Sequence, residues 1–243
     1  MTLAPLVGTA PGTRLIWFVG FVLMAALSLW MAIVARRIAT ASPDSQRSLW
    51  GYYTLVGAVG AVVGGVGAGR TALAEPPTAV AALVPTLLLG YTFVCALSLR
   101  EAQYNAVFSN TELERFGDYP TRRGAEVGIV VGILGVGLPP LFVTPLVSAA
   151  IAVLLVPAIV VYGGYFFREH LRGTATQGTL VDTLVRHVLL TLVFLSGTTL
   201  ATAVLLVAPD AVIVDSLGAT MLLLGTASLV AVVVKFRQHA VSV

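Results

Sequence analysis

The sequence predicts an all-α membrane fold: a bundle of seven transmembrane helices with the N-terminus outside and the C-terminus in the cytoplasm. Three observations carry this expectation. Of the 243 residues 58% are hydrophobic and only 10% charged, against about 25% charged in an ordinary soluble domain, so a water-facing surface could not be covered. Apolar runs recur at membrane length, which is about 18 or more residues. Arginine and lysine favour alternate connections, twelve on one side and two (Arg14 and Arg70) on the other. Cytoplasmic loops carry the positive excess, so the richer side is placed inside, and a split of this kind requires an odd number of crossings.

The first segment runs from Arg14 to Arg37 and the second from Ser48 to Gly69. The third spans Thr78 to Leu99, and the fourth Gly124 to Phe142. The fifth covers Thr144 to Phe167, the sixth Thr179 to Val207 and the seventh Ala211 to Lys235. Pro139, Pro140 and Pro145 mark the turn between the fourth and fifth, because proline breaks the helical hydrogen-bond ladder. Helices are the expected spanning form, since lipid satisfies no backbone polar group. Residues 1–243 are read as one membrane domain in the cell (plasma) membrane, and no cleaved leader is expected, because residues 15–35 exceed a signal-peptide core.

The formal charge of +3 follows from this topology. The basic residues are scattered, which argues against a nucleic-acid partner. Cys95 is the only cysteine, so neither an internal disulfide nor a cysteine-based metal site can form. It is read as a small buried hydrophobe.

The longest connection, Arg100 to Arg123, is read as a mixed-charge loop whose first half extends the third helix into the cytoplasm. Thr111 and Glu114 have capping-box spacing. The alternative reading is a docking site for a membrane or cytoplasmic protein partner. Gly60 and Gly64, Gly65 and Gly69, and Gly128 and Gly132 are small-xxx-small pairs, which let helix backbones approach closely. Packing within the bundle is the expectation, and a homo-oligomer face is the alternative.

Little here resembles catalytic machinery. Asp44, Glu75, Asp182, Asp210 and Asp215 fall at helix ends or in loops. Arg186 and His187 are the ionisable pair inside a segment; either the arginine snorkels to headgroups or the pair is functional. No zinc motif, phosphate loop or nucleophile elbow is present. His170, His187 and His239 are too scattered for a metal site. The expectation is a protein that is not an enzyme. A small-solute transporter is an alternative, although it would call for an internal repeat or broken helices.

Residues 42–57, SPDSQRSLWGYYTLVG, and 184–195, LVRHVLLTLVFL, together with the helix count and orientation, resemble the microbial (archaeal-type) rhodopsins. Thr54, Leu55 and Val56 match that family's second-helix run, with Gly57 where it has proline. Pro85 resembles its third-helix proline, and Asp215 and Ser216 fall on its outer Glu-Thr pair. The resemblance implies a retinal Schiff base on a seventh-helix lysine, because an amine must condense with the aldehyde. That position here is Ala227. The family's carboxylates fall on Ala79, Gly90 and Leu223, its retinal-sandwiching tryptophans on Val193 and Leu200, and its sixth-helix proline on Gly197.

Every covalent and charged retinal position is thus replaced by a small or aliphatic residue. Lys235 is the only lysine. It lies eight residues beyond Ala227, about 12 Å along the axis at roughly 1.5 Å per residue, and reads as a cytoplasmic anchor.

The expectation is therefore a rhodopsin-like accessory or binding protein with no covalent cofactor. Two readings of the seven substituted positions stay open. Either the helices close in, or an apolar pocket takes a non-covalent retinal, carotenoid or lipid. Ser196, Thr198, Thr199, Thr226 and Ser228 either orient such a ligand or bond back to helix carbonyls. A light-driven pump or photosensor using Lys235 in a shifted register is the remaining alternative.

Overall fold

The computed structural model describes residues 11–42, 44–73, 78–107, 145–172 and 180–242. They form six helices: α1 (Pro11–Ala41), α2 (Asp44–Ala72), α3 (Thr78–Val107), α4 (Pro145–Arg172), α5 (Leu180–Leu205) and α6 (Val212–Ser242). All six contain a stretch long and apolar enough to cross a membrane. The protein is a multi-pass, all-helical membrane protein. Its outer faces fit that setting: Leu154, Val161 and Ile213 are more than 70% exposed, a cost in water that lipid removes.

The described helices correspond to six of the seven expected segments. The fourth, Gly124 to Phe142, lies outside the described residues, as do Gly128, Gly132, Thr111 and Glu114. The third helix continues to Val107, so the first part of the Arg100 connection is helical as expected. The last helix runs beyond Lys235 to Ser242, because the backbone ladder continues after the apolar run ends.

Neighbours follow chain order from α1 to α6, α6 closes on α1, and α3 also reaches α5. The widest contact is between α1 and α2, and glycines create it. A Cβ on Gly57 would lie 2.5 Å from the backbone nitrogen of Ala32, and one on Gly60 would lie 2.5 Å from Ser28 Oγ. Gly64 meets the backbone of Ala25 in the same way, and Gly67 meets the ring of Phe21. The Gly60–Gly64 pair therefore packs inside the bundle. Gly65 and Gly69 differ: no described atom lies within 4 Å of a Cβ there.

Helix directions follow from the side-chain contacts. Phe93 packs on Tyr162 and Tyr104 on Phe166, so α3 and α4 run parallel. A Cβ on Gly20 would meet Leu222, and Gly218 meets Trp17, so α1 and α6 are parallel as well.

Candidate functional site

The last helix, α6, carries Leu223 and Ala227, where the resemblance implies a carboxylate and an amine. Its buried residues are Asp215, Gly218, Ala219, Leu222, Gly225, Thr226, Leu229, Val232 and Phe236, the three-and-four spacing of a helix face against a core. None carries an amine. Asp215 sits in the first turn, as its place in the sequence suggests, yet it is only 1% exposed. The Trp17 indole N–H donates to Asp215 Oδ1 at 2.9 Å across α1 and α6. Trp17 in turn stacks on Phe21, with ring centroids 5.6 Å apart. Near this end Arg14 Nε donates to the Thr71 carbonyl at 2.8 Å, closing the last turn of α2.

The seven substituted retinal positions lie on several faces. Leu223 and Ala227 follow the inward residues Leu222 and Thr226 by one and point outward; Leu223 is 36% exposed and Val193 44%. Leu200 packs partly against the core. A Cβ on Gly197 would stand 3.2 Å from Met221 Cγ, whereas none of the described atoms lies within 4 Å of one on Gly90. The side chain of Ala79 lies outside the described residues. Lys235 is partly buried, next to Phe236, which is enclosed by Trp50 and Tyr53 at centroid distances of 5.5 and 5.4 Å.

Of the hydroxyls that were candidates for orienting a ligand, four bond to their own helices. Thr198 donates to the Phe194 carbonyl at 3.2 Å and Thr199 to Leu195 at 2.7 Å. Thr226 donates to Leu223 at 2.8 Å and Ser228 to Leu224 at 3.1 Å. Ser196 Oγ is buried and makes no hydrogen bond among the described residues.

Sequence reasoning missed a second group, between α1, α2 and α3. Ser28, Tyr53 and Tyr91 are each 0% exposed. None of the three hydroxyls bonds back to a backbone carbonyl of its own helix. Ser28 and Tyr91 converge at Gly60, whose missing Cβ would lie 2.5 Å from Ser28 Oγ and 2.7 Å from Tyr91 Cε2. The Tyr91 hydroxyl is hydrogen-bonded with Ser28 and with the Cys95 thiol. Cys95 is a free cysteine buried in the core, as its reading as a small buried residue expects, and its thiol has a polar neighbour in Tyr91. The signal available in the sequence was Tyr91 and Cys95 four residues apart, one above the other on a helix face.

The opposite end from Trp17 is charged. Arg100 donates to the Tyr52 hydroxyl at 3.0 Å and lies 5.8 Å from the Tyr104 ring centroid. Ser48 donates to Glu101. Arg186 pairs with Asp182 at 3.3 Å, and His187 Nδ1 lies 2.8 Å from the Thr183 carbonyl. Arg186 thus has an acid one turn away rather than a snorkelling route alone. His170 is 2% exposed on α4, facing Asp182 and Arg186.

Comparison of the chain with protein-family models, with curated proteins and with solved structures returns no match.

Proposed function

We propose that the chain is a rhodopsin-like membrane protein that forms no retinal Schiff base and acts by binding or contact, as an accessory protein rather than an enzyme. The observation that carries this reading is the inward face of α6. From Asp215 to Phe236 its buried residues offer one carboxylate, one threonine and otherwise hydrocarbon. Condensation with an aldehyde needs an amine, and the only lysine lies next to Phe236 of the Trp50–Tyr53–Phe236 aromatic group, outside that face.

The finer topology belongs to the same proposal. The chain crosses the cell membrane seven times, N-terminus outside. Support comes from α3 and α4: parallel neighbours need a connection that returns through the bilayer, and residues 108–144 include the apolar segment Gly124 to Phe142. The alternation of Arg and Lys supports the orientation. The connection after α3 is the proposed contact surface for a protein partner.

The test is reconstitution. Purified protein is incubated with all-trans-retinal and its visible spectrum recorded, alongside Lys235→Ala. The proposal expects free-retinal absorption from both. A strongly red-shifted band in the wild type that Lys235→Ala abolishes would overturn it in favour of a pigment built on Lys235.

A further inference from the structure

We infer that Arg36, Arg37, Lys235 and Arg237 form a binding site for the headgroup of an anionic phospholipid, across the neighbouring ends of α1 and α6. This does not rest on the proposed function, since a lipid headgroup outside the bundle is compatible with any occupant inside it.

The four cations stand at one level. Trp17 of α1 packs against Gly218 of α6, and Leu222 of α6 against Gly20, so the two parallel helices keep a register. At an equal rise per residue, Arg36 and Arg37 come level with Arg237. Helix α2 gives the same level by a second route. It runs antiparallel to α1, with Gly64 against Ala25, Gly60 against Ser28 and Gly57 against Ala32, which brings Tyr53 level with Ala35. Tyr53 packs edge-on against Phe236 at a centroid distance of 5.4 Å, and Phe236 stands between Lys235 and Arg237 in the chain.

Charge and hydropathy select the occupant. Arg36, Arg37 and Arg237 are exposed, and Lys235 partly so. Among the described residues none of the four has an ion pair or a side-chain hydrogen bond. Their own helices supply no acid: α1 has none, and the one acid of α6, Asp215, is in its first turn at the opposite end. Arg186, by contrast, is held by Asp182 at 3.3 Å. One to two turns before the cations, the same two helices expose large apolar side chains, Trp30 and Ile33 on α1 and Val230 and Val234 on α6. Trp30, Ile33 and Arg37 follow at three- and four-residue spacing, as do Val230, Val234 and Arg237. Each helix therefore presents one face that is hydrocarbon and then cationic. A phospholipid matches both parts at once, with acyl chains along the apolar stretch and a phosphate at the guanidinium groups, whose planar fork suits it. The headgroup is anionic rather than zwitterionic, because four cations meet there with no acid of their helices to take up an amine. A soluble acidic peptide would use the charges and leave the apolar stretch unused.

Trp30 provides the readout. It is 49% exposed, whereas the other two tryptophans, Trp17 and Trp50, are buried. It precedes Arg37 by seven residues, about 10 Å along the axis, where the acyl chains of a lipid held at the cations would lie. The full-length protein is reconstituted in bilayers of phosphatidylcholine and phosphatidylglycerol with bromine on the chains of one lipid or the other, and tryptophan emission is recorded as their proportion is varied. The proposal expects brominated phosphatidylglycerol to quench Trp30 with a preference of about fivefold or more over brominated phosphatidylcholine, the effect of a single basic residue at an anionic surface. It expects the preference to vanish when all four cations are replaced by glutamine, and to fall in the single variants Arg36→Gln and Arg237→Gln. Arg168→Gln, which removes an exposed cation of α4 at the same end of the bundle, should leave it intact. Equal quenching by the two lipids, or a preference that survives the quadruple replacement, overturns the proposal. A loss as large in Arg168→Gln as in Arg36→Gln also overturns it, because the preference would then belong to the charge of the whole bundle end. The wild-type comparison and the single variants decide the question even where the quadruple variant fails to fold.

Discussion

The threonines of α5 and α6 and the tyrosines between α1, α2 and α3 treat buried hydroxyls differently. Along α5 and α6, Thr191, Thr198, Thr199, Thr202 and Thr226 each donate to a carbonyl three or four residues back. Ser28, Tyr53 and Tyr91 between α1, α2 and α3 have no such bond, and neither has Ser196 on α5, whereas Thr92 and Ser98 on α3 do. Between the threonines and the tyrosines the difference is set by side-chain reach. A β-hydroxyl can fold onto the preceding turn, while a phenol extends away from it. The threonines of α5 and α6 are therefore polar in composition but already bonded, and a tyrosine in the same setting must find something beyond its own helix. Composition alone would rank α5 as the more promising binding surface, and the hydrogen bonds reverse that order.

Substitutions can break or sharpen this contrast. The largest effect is expected where α1 and α2 touch, because the hydroxyl group between them depends on that approach. Gly64→Val should cost about 3 kcal/mol or more, the upper part of the overpacking range, since its Cβ would meet the backbone of Ala25. Gly65→Ala, with no described atom within 4 Å of the new carbon, should be neutral or gain up to about 1 kcal/mol from helix propensity. Thermal melting in detergent distinguishes the two.

The next effect is at the Trp17 end. Asp215→Ala leaves the buried Trp17 N–H without the acceptor it holds at 2.9 Å, a loss of about 1–3 kcal/mol. Asp215→Asn keeps an acceptor and should lose less. Melting together with tryptophan emission reads both; equal melting of all three proteins would remove this contact from the account. The smallest effect is expected on the self-satisfied side. Thr199→Val deletes a hydroxyl bonded only to its own helix at 2.7 Å and should change stability by less than about 1 kcal/mol. A larger loss would mean that the α5 hydroxyls serve another group, and the contrast would fail.

Much of the fold was legible because the bilayer imposes a length and a polarity on each crossing. The apolar runs located all six described helices, and Gly57, Gly60, Gly64 and Gly67 fall on one helical stripe. The ends were less legible: hydropathy stops at Lys235, but hydrogen bonding carries α6 on to Ser242. Asp215 was placed at a helix end, and its burial depends on Trp17, 198 residues away in sequence. The hydroxyl group between the first three helices was not legible. Serine, tyrosine and cysteine pass unremarked inside an apolar run, and only the rotation of each helix brings them together. The same rotation sets Leu223 and Ala227 outward beside the inward Leu222 and Thr226.

The central proposal is that this chain forms no retinal Schiff base, and the retinal-treated protein tests it most directly. After borohydride reduction and full denaturation, the polypeptide is separated from small molecules and its absorption measured. The account predicts a colourless, unlabelled chain with all retinoid in the free fraction. Retinyl absorption that stays with the wild-type polypeptide at one group per chain would contradict it.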